Sequence, residues 1–332
     1  MTTYRAHYIE EQGEGNFQQS IAQRDIDDLP AGDLLIRVHY SSLNFKDAMS
    51  ANGNRGVTRE FPHQGGIDAA GVVEESSHAD FKAGDEVIVT GYDLGMNTAG
   101  GLAEYIRVPA DWAIPCPGGL TPRGSMLFGT AGLTAQLCIN KLQRMGVAPD
   151  HGEVLVTGAT GGVGSLAVAL LANAGYTVAA SSGKADQSAL LMEIGASEVI
   201  DRAEFSEPNK RPMLKERFAG AVDVVGGDTL ANVIKQLKAG GSVACCGLVQ
   251  SPAFDATVLP FRLRGVNLLG VDSVEIPLQD KQAAWEQLAG CAELASVARI
   301  NHEITLDEVP ATLERLYAGA MTGHAIVNIA GA

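Results

Sequence analysis

Glu153-Val-Leu-Val-Thr-Gly158-Ala-Thr-Gly161-Gly162-Val-Gly164, continuing into Ser165-Leu-Ala-Val-Ala-Leu-Leu, is the stretch that decides the fold. A short branched, apolar run predicts a buried strand, the glycine cluster a turn, and the Ala- and Leu-rich continuation a helix. Gly161 and Gly164 hold the last two positions of G-x-G-x-x-G, with Ala159 in the first. Their missing side chains let the backbone of Thr160, Gly161, Gly162 and Val163 approach a pyrophosphate at the helix N-terminus, and let helix and strand pack closely. A merely structural glycine turn is the alternative. The strand before, the helix after and a further strand at 176–180 favour a dinucleotide site.

The end of that further strand bears on which dinucleotide is bound. NAD sites place Asp or Glu about 20 residues past the glycines to hold the ribose 2′-hydroxyl. Here the chain reads Ala179-Ala-Ser181-Ser182-Gly183-Lys184, with no acid. Hydroxyls and a cation suit a 2′-phosphate, and Arg202 beyond the next strand adds a second cation, so NADPH is the expected cofactor.

Working outward, strands are predicted near 153–157, 176–180, 198–200, 222–225, 242–246 and 266–271. Helices lie between most of them, including 185–194, stopped by Gly195, and 228–237, stopped by Gly240-Gly241. That alternation predicts a doubly wound parallel α/β sheet of the Rossmann type. The first third differs, with short strands at 34–40, 67–74, 86–89 and 102–108 between glycine turns, as in a small barrel or sandwich. Thr121-Pro122 reads as an N-cap and first helical residue, with helical periodicity continuing to Met145. The last segment returns to strand, helix (306–317) and strand (324–329). The expected domains are therefore a β-rich substrate domain of residues 1–125 and 296–332, and a Rossmann domain of residues 126–295.

Composition narrows the function classes. The chain has 332 residues, 46% hydrophobic and 19% charged, with 24 Lys and Arg against 39 Asp and Glu, a formal charge of −15. An acidic chain lacks the basic faces that nucleic acid and anionic membranes require. It has 5 cysteines without C-x-x-C spacing, which indicates neither a disulfide framework nor a zinc ribbon and suits a reducing cytoplasm. The N-terminus lacks the apolar core of a signal peptide. Residues 154–183 carry no charge, yet their strand-turn-helix pattern reads as a buried βαβ unit rather than a membrane span.

Further motifs carry a resemblance: Pro62-x-x-Gly65-Gly-Ile-Asp68-x-x-Gly71-x-Val73, Gly84-Asp85-x-Val87, Gly100-Gly-Leu-Ala-Glu104-Tyr105 and Gly129-Thr-Ala-Gly132-x-Thr-Ala. To these add Ser41-Ser-Leu-Asn44-Phe-Lys46-Asp47, Lys215-Glu-Arg-Phe-Ala-Gly220-Ala-Val-Asp223-Val-Val-Gly-Gly227 and Leu268-Leu-Gly-Val-Asp272-Ser273. Over essentially its whole length the chain resembles the medium-chain dehydrogenases/reductases, in their quinone-oxidoreductase-like branch, and within it the acrylyl-CoA reductase group. The resemblance implies a GroES-like substrate domain beside the Rossmann domain, and a homodimer. Zinc enzymes of this superfamily bind catalytic metal through Cys, His and Cys, with an adjacent Glu. Asn44, Ile67, Asp68 and the Phe128-Gly129 region stand in the matching places, and a four-Cys structural lobe is missing, so no metal is expected.

The resemblance further implies cofactor contacts at Phe45, Thr160 to Val163, Ser182, Gly183, Lys184, Arg202, Leu248, Arg262, Ser273 and His324. Two positions depart from the group, which usually has Tyr where this chain has Phe45 and a basic residue where it has His324. Phe45 removes a phenol proton donor, which leaves water as the proton source. Cys245 and Cys246 read as core thiols rather than nucleophiles. Arg55 and Arg59, in a Gly- and Asn-containing loop, either clamp CoA phosphates or are simply solvated. The reaction these readings imply is NADPH-dependent reduction of the conjugated double bond of a short 2-enoyl-CoA, acrylyl-CoA first, with Asn44 polarising or positioning the thioester. The alternatives are a quinone or free 2-enal reductase and, from a different class, a non-catalytic NADPH-binding protein.

Overall fold

A computed structural model describes residues 2–331 of the chain. Two compact units emerge, one of residues 1–131, 273–293 and 301–332, the other of residues 132–272 and 294–300. The first unit holds strands β1 (Thr3–Glu11), β2 (Phe17–Asp25), β3 (Leu34–Leu43), β4 (His63–Gln64), β5 (Asp68–Ser76), β6 (Glu86–Thr90), β7 (Tyr105–Val108) and β8 (Ala113–Pro115). The second holds β9 (Val154–Val156), β10 (Val178–Ser182), β11 (Glu198–Asp201), β12 (Phe218–Asp223), β13 (Leu237–Cys245) and β14 (Asn267–Gly270). The chain then returns to the first unit for β15 (Asn301–Thr305) and β16 (His324–Asn328).

The second unit is the doubly wound sheet, in the order β11-β10-β9-β12-β13-β14 with every neighbour parallel. Central β9 is buried at all three residues, as a strand covered on both faces must be. Its Leu155 packs in a core with Ala179, Phe205, Phe218, Ile234 and Val243. The helix Gly162–Asn173 follows β9 directly; from Gly164 to Leu171 every residue is buried, which explains its lack of charge.

The first unit carries a three-stranded sheet, β2-β1-β4, and a seven-stranded sheet, β15-β16-β3-β5-β6-β8, with β7 pairing β3. Leu34, Ile36 and Val38 of β3 alternate into a core shared with Val73, Val87, Ile106, Leu313 and Val327. The C-terminal segment is integral here, because β16 pairs antiparallel with β3.

The observed limits differ from the expected domains in three places. The first boundary falls after Ala131, inside the helix Gly129–Arg144, rather than at 125/126. Residues 273–293 belong to the first unit, since the helix Leu278–Ala289 buries Lys281, Ala284, Trp285 and Leu288, and Lys281 Nζ donates to the Thr90 carbonyl at 2.7 Å. Residues 294–300 stay with the second unit, where the helix Ala295–Ile300 packs on the helix Gly162–Asn173. The long helix expected from 121 to 145 is two helices, Pro122–Met126 and Gly129–Arg144. Strand β13 runs from Leu237 through Gly240-Gly241, which the sequence suggests as a helix stop.

Candidate functional site

In the second unit the glycine turn has the shape that an anion requires. The helix Gly162–Asn173 is N-capped by Gly161, which offers no side-chain cap, so its first N–H groups lack that partner. A Cβ on Gly164 would stand 2.3 Å from the Gly158 carbonyl oxygen, so only glycine lets the helix begin this close to the strand end. Thr160 Oγ1 lies 3.2 Å from Ser182 Oγ, linking the turn to the end of β10.

Five of the expected cofactor residues gather there. Ser182 is buried, and its hydroxyl accepts the Lys184 backbone N–H at 3.0 Å. Arg202 N–H donates to the Ser182 carbonyl at 3.0 Å, and its guanidinium crosses Gly183 so closely that a Cβ would meet Nε at 2.4 Å. Burial moves the Lys184 ammonium down from its ordinary value, with Asp186 opposing the shift. Two cations and a hydroxyl at a strand end whose pocket segment, Ser181 to Lys184, has no carboxylate fit a ribose 2′-phosphate better than a bare 2′-hydroxyl. Leu248 and Arg262 are also in this unit, both exposed.

Asp223, at the end of β12, is a residue that sequence reasoning passed over. It accepts Thr157 Oγ1 at 2.7 Å and Gly226 N–H at 2.8 Å, tying together the ends of β9 and β12. Burial raises its carboxyl, opposed by the hydrogen bonds it accepts. Cys245 Sγ lies 3.8 Å from Asp223 Oδ2. Burial and that neighbouring charge push the thiol up to about 11, so Cys245 is a thiol at neutral pH and no nucleophile.

In the first unit, Asn44 is fixed at two points. Its backbone N–H donates to Asp47 Oδ2 at 2.7 Å and its side-chain Nδ2 donates to Asp68 Oδ2 at 2.7 Å. Asp47 also accepts Ile67 N–H at 2.9 Å, and burial pushes its carboxyl up to about 7 against these bonds. Asp68 is the hub, fully buried on β5, with Oδ2 accepting Ser42 Oγ at 2.5 Å and Thr130 N–H at 2.9 Å besides Asn44. Its Oδ1 accepts Thr130 Oγ1 at 2.5 Å. Burial raises the Asp68 carboxyl, and the donors from Ser42, Thr130 and Asn44 pull it back. Gly129 follows from the same crowding: at φ 51°, a Cβ there would stand 2.7 Å from Asp68 Oδ2. An amide at Asn44, an aliphatic side chain at Ile67 and a carboxylate already occupied by donors do not make a tetrahedral zinc site. Among the described residues no group of three or more His, Cys, Asp or Glu is placed to hold a metal.

The remaining expected residues are distributed as follows. Phe45, next to Asn44, is 38% exposed and its ring lies parallel to that of Tyr317. Ser273 is half-buried beside Gly91. His324 is not the exposed cation of a basic residue: it is buried on β16 with Nδ1 2.9 Å from Asn301 Oδ1, and burial lowers its pKa to about 4, so the ring is neutral. Arg55 is committed within the protein, donating to Glu11 Oε2 at 2.6 Å and to the Arg59 carbonyl at 2.6 Å while lying over the Phe61 ring. Arg59 is exposed.

A dinucleotide cradle on a doubly wound sheet, with an amide–carboxylate cluster where related enzymes carry metal ligands, defines the class of zinc-independent nicotinamide oxidoreductases. The alcohol dehydrogenase GroES-like domain model matches residues 30–118, and the zinc-binding dehydrogenase model matches residues 162–290. Acrylyl-CoA reductase AcuI of Ruegeria pomeroyi is 42% identical over 315 residues, covering 95% of this chain and 96% of its own. The yhdH oxidoreductase of Salmonella enterica, solved in complex with NADP, superposes with a TM-score of 0.95 at 44% identity, covering 98% of this chain and 99% of its own. The yhfP protein of Bacillus subtilis, solved with NAD bound, gives a TM-score of 0.96 at 40% identity, covering 99% and 100%. The chain belongs to the medium-chain dehydrogenase/reductase family, in its zinc-independent branch of the acrylyl-CoA reductase type.

Proposed function

We propose that this protein reduces the conjugated double bond of a short 2-enoyl-CoA, acrylyl-CoA to propionyl-CoA, using NADPH. The observation that carries the reading is the Asn44–Asp68 cluster: it fixes an amide N–H donor on a carboxylate already saturated by donors, which suits the carbonyl of a thioester that polarises its own alkene. The near-full-length likeness to an acrylyl-CoA reductase supports the same substrate.

NADPH, when bound, supplies the hydride. The Gly161–Val163 turn with the helix N-terminus would hold its pyrophosphate, and Ser182, Lys184 and Arg202 its 2′-phosphate. Asn44 Nδ2 carries two protons, and Asp68 takes one. The other donates to the thioester oxygen, where negative charge gathers as Cβ is reduced. Because Asp47 and Asp68 grip Asn44 from two sides, that donor is aimed before the substrate arrives. Phe45 supplies an apolar face beside it. The reading also includes a homodimer, which rests on the family likeness, and a reducing cytoplasm, which suits five free cysteines; among the described residues no helix is long and apolar enough to cross a membrane.

The deciding measurement is kcat/KM for acrylyl-CoA, crotonyl-CoA, a free 2-enal and a quinone with NADPH and with NADH. Acrylyl-CoA with NADPH should give the highest value. Lys184→Ala should weaken NADPH about ten-fold or more while leaving NADH nearly unchanged, because a charge-assisted bond to phosphate is worth about 1.5–3 kcal/mol. A higher value for a quinone or enal transfers the chemistry to that acceptor, and equal use of NADH refutes the cofactor assignment.

A further inference from the structure

We propose that Tyr317 is the proton donor of this reaction, delivering its phenolic proton to Cα of the reduced acyl group. The inference rests on the enoyl reduction proposed above and adds the residue that completes it. Two events saturate a C=C bond: addition of hydride at Cβ and of a proton at Cα. The side chains that hold or flank Asn44 are turned to other partners, Lys46 Nζ lying 4.0 Å from Met96 Sδ. Asp68 is enclosed by donors to both of its oxygens, Asp47 is buried and accepts two backbone N–H groups, and Phe45 ends in carbon.

The ring against Phe45 ends in a hydroxyl. Tyr317 closes the helix Val309–Tyr317, and its ring lies nearly parallel to Phe45, at 12° with 6.1 Å between centroids. Both rings face outward, Phe45 38% and Tyr317 50% exposed, and they remain together on one surface of the first unit. The two rings thus offer apolar surface and one phenolic hydroxyl to solvent side by side. Through that stack Tyr317 is held against the residue next to Asn44, and the role assigned to it places the acyl chain between the Asn44 amide and the phenol.

The step balances without a further reactant. Hydride addition forms the Cβ–H bond and breaks the π bond, leaving its electron pair on the enolate. That pair takes the Tyr317 proton, so the Cα–H bond forms and the O–H bond breaks. The phenolate left on the half-exposed ring regains its proton from water. A phenol suits this role because its O–H is a far stronger acid than the α-carbon of a thioester, so transfer to the enolate runs downhill.

The test uses the full-length protein, wild type, Tyr317→Phe and Tyr317→Phe combined with Phe45→Tyr, with acrylyl-CoA and NADPH. Tyr317→Phe should lower kcat about 10- to 100-fold, within the range that positioned acids supply. KM for acrylyl-CoA, the Kd of NADPH from its fluorescence and the melting temperature should all stay within about two-fold or about a degree of wild type, because a methine edge replaces only the hydroxyl. Restoring a phenol one ring away, in the double variant, should recover a substantial part of kcat, which a packing role for Tyr317 does not predict. A kcat in Tyr317→Phe within about two-fold of wild type overturns the proposal, as does a loss that the double variant leaves untouched. If the wild-type protein reduces no enoyl-CoA, the substrate reading itself fails and this role falls with it.

Discussion

A buried imidazole contributes to stability in a way that depends on acidity, and His324 makes that dependence measurable. Its pKa is lowered to about 4 chiefly by burial, so the fold favours the neutral ring. A histidine whose folded pKa lies below its unfolded one stabilises the fold above about pH 6.5, and that stabilisation is lost as the pH falls toward 4. His324→Asn keeps a polar group opposite Asn301 but removes the titration. At neutral pH the variant should be less stable than wild type. On acidification from about 6.5 to 4 the gap should narrow by up to about 3 kcal/mol, the linkage value of such a shift. Urea melts of both proteins across that range check it; a constant gap means that His324 does not titrate this way. Burial lowers His7 to about 4 as well, so only the difference between the two proteins isolates His324.

At the scale of elements, the turn between β9 and its following helix is the least forgiving part of the cofactor half. Gly164→Ala would drive a methyl group against the Gly158 carbonyl. Relief requires the helix N-terminus to move outward, which withdraws the N–H groups that hold the pyrophosphate. The variant should lose about 1–3 kcal/mol of stability and bind NADPH at least ten-fold more weakly, measured by melting and by fluorescence titration. Unchanged affinity would show that this helix end is not the phosphate site. The same turn explains why the second unit was legible in sequence: glycine spacing, strand and helix lie within one short stretch. The first unit was less so. Strands β1 and β2 escape a hydrophobic pattern because β2 reads Phe17-Gln-Gln-Ser-Ile-Ala-Gln-Arg-Asp and is partly exposed along its length. Asp68 was noted only as a place lacking a metal ligand, because its partners Ser42, Asn44 and Thr130 come from distant parts of the chain. One local signal was present: an acid within Gly65-Gly-Ile-Asp-Ala-Ala-Gly, a run too apolar to bury a carboxylate without donors. The Tyr317 stack on Phe45 has no local signal, since it depends on the C-terminal helix folding back on the helix Phe45–Ala51.

For the whole molecule, the donor saturation of Asp68 predicts independence from metal. Exhaustive chelation should leave kcat and melting temperature unchanged; stoichiometric zinc whose removal abolishes turnover would overturn the zinc-independent reading. The division of the chain has a different kind of consequence. Unit one begins at the N-terminus but takes β16, Leu306, Val309 and Leu313 from the far end of the sequence, with most of unit two between. During synthesis on the ribosome, the early strands therefore emerge with the Tyr40–Leu43 end of β3 unpaired on one side and part of their core not yet made. Residues 132–272, contiguous in the chain, have most of their own partners as soon as they leave the exit tunnel. The order of birth thus favours the cofactor-binding half condensing first, while the substrate half waits with an open strand edge until β16 arrives. An unpaired strand edge of that kind is a template for pairing with another chain, so aggregation is expected to set in during that interval rather than from the finished fold.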